Sequence, residues 1–148
     1  MFFPRPASLG ACLAMSTACL ALAGGAAARR PAPFLEQPDD WFRGEEGRRI
    51  TANILSHQSP QGGWPKNLDT TRSPYTGDRA KIQGTFDNGA TTDELRYLAR
   101  AYAADPRPEY RTAVEKGLDH ILEAQYPTGG WPQFHPPDRA CNNQGGFG

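Results

Sequence analysis

Apolar residues recur at helical spacing in three stretches of the chain. Ile50, Ile54 and Leu55, with Ala52, form a partly periodic face. They predict a helix over about 40–58, with Asp40 placed to cap it. Thr91 with Glu94 three positions on reads as a capping box, and Leu95, Leu98, Ala99 and Tyr102 line one face of the next helix. Asp105-Pro-Arg-Pro108 interrupts the pattern. A third helix is predicted over about 108–124, with Tyr110, Val114, Leu118, Ile121 and Leu122 as its packed face. Residues 59–89 are polar and rich in Gly, Pro, Asn and Thr. A loop of that length inside a compact domain is either functional or disordered. No run alternates with a period of two, so the expected class is all-α.

One string occurs twice. Gln58-Ser-Pro-Gln-Gly-Gly-Trp-Pro65 and Gln125-Tyr-Pro-Thr-Gly-Gly-Trp-Pro132 agree at six of eight positions and lie 67 residues apart. Each copy falls at the end of a predicted helix. The expected roles are local: Gln satisfies orphan carbonyls at the helix end, Gly-Gly permits a left-handed turn, Trp packs back on the helices and Pro fixes the exit. A period this long holds two helices and their loops, so the copies predict equivalent corners of stacked units. The architecture expected is a partial α/α toroid, an incomplete helical barrel with long functional loops.

Composition narrows the partners. Lys and Arg total 16 and Asp and Glu total 16, so no bulk field draws the chain to nucleic acid or to a membrane surface. The first 28 residues read as a signal peptide. Arg5 is followed by an apolar run over 9–22 and then by Ala26-Ala27-Ala28 as a small-x-small cleavage site. Secretion or export to the periplasm is therefore expected, with a mature chain that is monomeric and free of the membrane. Cleavage there removes Cys12 and Cys19 and leaves Cys141, which gives no internal disulfide. Pro31, Pro33 and Pro38 mark residues 29–40 as a linker.

Three segments in order carry a family resemblance: Gly62-Gly-Trp-Pro-Lys-Asn67, Thr85-Phe-Asp-Asn-Gly-Ala-Thr91, and Gln125-Tyr-Pro-Thr-Gly-Gly-Trp-Pro-Gln133. Over residues 41–137 the chain resembles the N-terminal part of the catalytic domain of a polysaccharide lyase family 10 pectate lyase. The QxxxGGW string alone also resembles the Gln-Trp repeats of triterpene cyclases. The lyase resemblance implies an α/α toroid that cleaves polygalacturonate, the backbone of pectin, by calcium-dependent β-elimination. It also implies that the base is an arginine of the C-terminal half, beyond residue 148. Residues 138–148 are Gly- and Asn-rich without apolar periodicity and depart from the family pattern. They are expected to be a truncated or frame-shifted tail, and the chain alone is expected to be inactive.

On that resemblance Asp87 is the expected calcium ligand, and Trp64, Lys66, Asn67, Thr85 and Asn88 are the expected substrate-binding residues. Chemistry gives each an alternative. Asp87 with Asn88 also suits an Asx turn or a cap. Lys66 either holds a uronate carboxylate or is a solvated lysine. Trp64 and Trp131 either stack on sugar rings or fill the corners, and Trp131 is expected to fill its corner. His57, His120 and His135 have no metal-ligand spacing and receive no catalytic role. Two other functions remain open: a non-catalytic uronate-binding α/α module, and a terpene-cyclase-like protein. Against the last stand the export signal and the lack of an Asp-rich motif.

Overall fold

The computed structural model of the protein describes residues 31–137. The expected signal peptide, the cysteines and the expected tail lie outside the described residues. Four α-helices form the body: α1 (Asp39–Arg43), α2 (Glu45–Ser56), α3 (Thr92–Ala104) and α4 (Pro108–Ala124). Two-residue strands β1 (Gly84–Thr85) and β2 (Phe134–His135) pair antiparallel, Gly84 opposite His135 and Thr85 opposite Phe134. The class is all-α, a partial helical fold as expected. Among the described residues no helix is long and apolar enough to cross a membrane.

The first predicted helix is two helices. Asp40 does not cap it, because the chain enters α1 from Pro38 and turns sharply at Gly44. Gly47 makes the turn possible: a Cβ there would lie 2.7 Å from the Cα of Phe42. The capping box is also absent. The Thr91 hydroxyl accepts the backbone N–H of Trp64 at 2.9 Å, and the Glu94 carboxylate accepts the Thr70 hydroxyl at 3.1 Å. Both side chains are recruited by the long loop, which leaves neither for the helix end.

Phe42, Ile50, Ile54, Trp64, Leu95, Tyr97, Leu98 and Tyr110 make the core. Of the face expected on α4, Tyr110 is buried and Val114 and Ile121 pack against the core, while Leu118 and Leu122 stand exposed. The helix also buries Ala113, Gly117, His120 and Ala124. Small residues let α3 approach: a Cβ on Gly117 would meet Leu95 Cδ2 at 2.5 Å. Ala99, expected on the packed face of α3, is exposed. Residues 31–38 are not a spacer. Pro31 is buried, the Phe34 ring stacks on Trp41 at 5.5 Å, and Arg100 donates to the Gln37 carbonyl.

The repeated string builds the same corner twice. Ser59 N–H donates to the Gly63 carbonyl and Gly62 N–H to the Ser59 carbonyl. Tyr126 with Gly130 and Gly129 with Tyr126 repeat both bonds. The Trp64 indole donates to the Ile54 carbonyl at 2.7 Å, and the Trp131 indole to the Ile121 carbonyl at 2.8 Å. Each indole thus donates to a carbonyl in the last turn of its helix, the role expected of Gln, and the Ile54 carbonyl also accepts the His57 N–H. Gln58 instead donates its amide to the Gly62 carbonyl and across to the Ala113 carbonyl of α4. Gly62 and Gly129 take positive φ, as the turn requires.

Candidate active site

The corners lead straight into the candidate site. Each Trp-Pro pair is followed by a side chain aimed at one carboxylate. Lys66, after Trp64-Pro65, donates its ammonium to Asp87 Oδ2 at 2.7 Å. Gln133, after Trp131-Pro132, donates its amide to the same oxygen at 2.8 Å. The two copies of the repeat therefore close on Asp87 from equivalent positions.

Asp87 is held by its own segment as well. The Thr85 hydroxyl donates to the Gln133 carbonyl at 2.6 Å and accepts the Asp87 N–H at 3.2 Å. Phe86 N–H donates to the same Gln133 carbonyl, and Thr85 N–H to the Trp64 carbonyl. Lys66 Nζ also lies over the Phe134 ring, 4.8 Å from its centre. The ammonium sits between a carboxylate and an aromatic face, with donors left over for a further anion. The Lys66 and Asp87 side chains are each about a quarter exposed, at 25% and 23%. The site is thus open to a ligand but partly shielded from water, where such contacts gain strength.

The Lys66 ammonium, and after it the Gln133 amide, hold the Asp87 carboxyl below its usual range. Removing Gln133 as Gln133→Leu is expected to raise the Asp87 pKa, and Lys66→Met to raise it further, because the ammonium is the larger influence. Side-chain carboxyl NMR across a pH titration reads both. A fall in either variant would contradict this arrangement.

The expected site residues separate in the structure. Lys66 and Asp87 come together. Asn67 and Asn88 are exposed beside them in the left-handed region, with φ of 63° and 55°. Neither side chain makes a hydrogen bond among the described residues. Thr85 and Trp64 cannot touch a sugar. Both are fully buried, Thr85 bonded to Gln133 and Trp64 closing the corner and filling the core. Sequence reasoning missed Gln133. Its signal was positional: it occupies in the second repeat the place Lys66 occupies in the first.

Calcium finds no ready shell here. It takes about six to eight oxygen ligands. Asp87 is the cluster's carboxylate, and one of its oxygens already faces an ammonium. Among the described residues no group of three or more His, Cys, Asp or Glu side chains is placed to hold a metal. These residues do not by themselves fit the ion.

Against the paired strands β1 and β2 lies His120, fully buried. Its Nδ1–H donates to the Gln61 carbonyl at 3.0 Å, which leaves Nε2 as the lone-pair nitrogen. Nε2 has no partner among the described residues. Phe86 and His135 flank the ring at 5.3 and 5.1 Å. Gly63 and Gly84 close its edge, since a Cβ on Gly84 would lie 2.8 Å from the ring. Burial, and then the neighbouring His135, push the His120 pKa down to about 4.

Residues 58–147 match the family described as pectic acid lyase. The chain belongs to the pectic acid lyase family. That match takes in both repeats, Lys66, Asp87 and Gln133. Two solved structures are similar to this pectic acid lyase chain, each at 34% identity. One is a family 10 polysaccharide lyase from Cellvibrio cellulosa, with a TM-score of 0.51. The other is a mutant of a family 10 polysaccharide lyase from Cellvibrio cellulosa in complex with trigalacturonic acid, with a TM-score of 0.54. Each likeness covers 73% of this chain and 32% of the other, so the chain spans about a third of their length. No curated protein matches it.

Proposed function

We propose that this chain supplies the uronate-holding corner of a pectate lyase that cleaves polygalacturonate by β-elimination. The observation that carries the reading is the convergence of Lys66 and Gln133, from equivalent places in two repeats, on Asp87. In such an elimination a base removes the proton at C5 of a galacturonate and the glycosidic oxygen leaves from C4. The C5 proton is weakly acidic. A cation beside the adjoining carboxylate lowers the cost of the charge that develops as it leaves.

Lys66 is placed for that task. Asp87 holds the ammonium in place, Gln133 keeps Asp87 fixed, and the remaining ammonium protons can meet the uronate carboxylate. The exposed Asn67 and Asn88 flank the approach and suit hydroxyl or carboxylate contacts. No described residue is assigned as the base; the family resemblance puts an arginine in that role, outside this segment. Calcium dependence belongs to the same reading. Action on a cell-wall polymer accords with export. Mass spectrometry of the mature protein is expected to show cleavage after Ala28, and an intact leader on the exported protein would contradict that.

Trigalacturonate binding by the purified chain tests the reading. Calorimetry should show binding that Lys66→Met weakens roughly tenfold or more, the loss of one charge-assisted contact. Equal affinity in the variant would remove Lys66 from the site. Release of a 4,5-unsaturated uronide, followed in the same samples, separates elimination from binding alone.

A further inference from the structure

A second site lies away from Asp87 and shares no residue with its cluster. One stripe of α2, formed by Arg48, Ala52, Leu55 and Ser56, faces Arg107, Glu109 and Tyr110 at the start of α4. Arg79, from the 3-10 turn Arg79–Lys81, closes the rim. Together they surround a cavity of about 540 Å³.

Its charges do not cancel. Asp105 accepts from both Arg48, at 3.1 Å, and Arg107, at 2.8 Å. Glu109 stands 3.9 Å from Arg107. Three guanidiniums therefore face two carboxylates. The unmatched one is Arg79, and among the described residues no carboxylate lies within ion-pair distance of it. Its Nε and Nη2 both grip the neutral carbonyl of Gln58, at 2.8 and 2.6 Å. That grip fixes the plane of the guanidinium and leaves Nη1 and the outer N–H of Nη2 as a fork. A fork suits an anion with two oxygens better than a point charge does. The floor is different in kind. Ala52 and the half-buried Leu55 offer an apolar surface, with the edge of the buried Tyr110 beneath them.

We propose that this cavity is a second uronate site, in which Arg79 takes the carboxylate and the Ala52–Leu55 floor takes the apolar face of the sugar ring. A cation at the rim beside an apolar floor matches a sugar acid, which carries a carboxylate and a C–H face on one ring. The choice of a uronate over other carboxylates rests on the lyase reading of the Lys66–Asp87 corner. A pectate chain would then be held at two places, that corner and this cavity, and the second would anchor polymer without acting on it.

NMR titration of the full chain with trigalacturonate decides it. The expected result is a set of shifts at the Arg79 side chain, the Leu55 methyls and the Tyr110 ring. Arg79→Ala should weaken those shifts' apparent affinity roughly tenfold or more. Arg79→Lys should recover only part, because it keeps the charge and loses the fork. Lys66→Met should leave them in place. Shifts confined to the Lys66–Asp87 corner would overturn this proposal and leave the lyase reading standing. Shifts confined to the cavity would support it and count against Lys66. Shifts at neither would overturn both. Equal shifts with maltotriose, which has no carboxylate, would also overturn it.

Discussion

Trp64→Ala is expected to cost about 3–5 kcal/mol of stability, the range for deleting a large aromatic from a core. That is a large share of the roughly 5–15 kcal/mol that holds a domain together. The ring is fully buried and touches the small face of α4, where a Cβ on Gly117 would come within 3.2 Å of it. No neighbour can collapse into the space without moving that helix. The substitution also removes the 2.7 Å hydrogen bond from the indole N–H to the Ile54 carbonyl, which then keeps only the His57 N–H. Trp131→Ala should cost less, roughly 1–2 kcal/mol, because that ring is only half-buried and removes less apolar surface from water. Trp64→Phe should fall between, keeping most of the volume and losing the hydrogen bond. Urea unfolding at constant slope measures all three. A Trp64→Ala cost no greater than that of Trp131→Ala would show that the first corner is not part of the core.

Acid is expected to weaken the fold through His120. Its pKa is about 4 in the folded chain and near 6.5 when unfolded. Between those values the unfolded chain binds more protons, so stability falls as pH drops from about 6.5 to about 4. Below that window both states are protonated and this effect levels off. Its full size is on the order of 3 kcal/mol. The physical cause is that Nε2 faces glycine backbone and the His135 ring, with no acceptor for a new proton among the described residues. Asp87, whose carboxyl is held low, adds a loss in the same direction at more acidic pH. Urea midpoints at pH 7.5 and 4.5 should therefore differ clearly in the native chain and much less in His120→Phe, whatever that variant's absolute stability. An unchanged difference would mean that another group carries the acid sensitivity.

The sequence pattern disclosed α3 and α4 because their apolar periods are strong, and it disclosed the corners because the string repeats. It failed where long-range partners took over a side chain. Thr91 and Glu94 fit a capping box locally, yet the loop residues Trp64 and Thr70 claim both. Leu118 and Leu122 fit a packed face by size, yet α3 needed Ala113 and Gly117 to come close. Lys66 and Asp87 were legible as separate candidates, each within its own motif. Their contact was not, because 21 positions of irregular chain separate them. Gln133 becomes visible only when the residues after the two Trp-Pro pairs are aligned with each other.

The two corners also differ in how they are locked. The amide of Gln58 is fastened to the Ala113 carbonyl of the helix that comes later in the chain. Gln125, its counterpart, is exposed and has no side-chain partner among the described residues. The first corner is thus a latch whose catch lies on α4, so that the earlier turn is secured only where the later helix has docked.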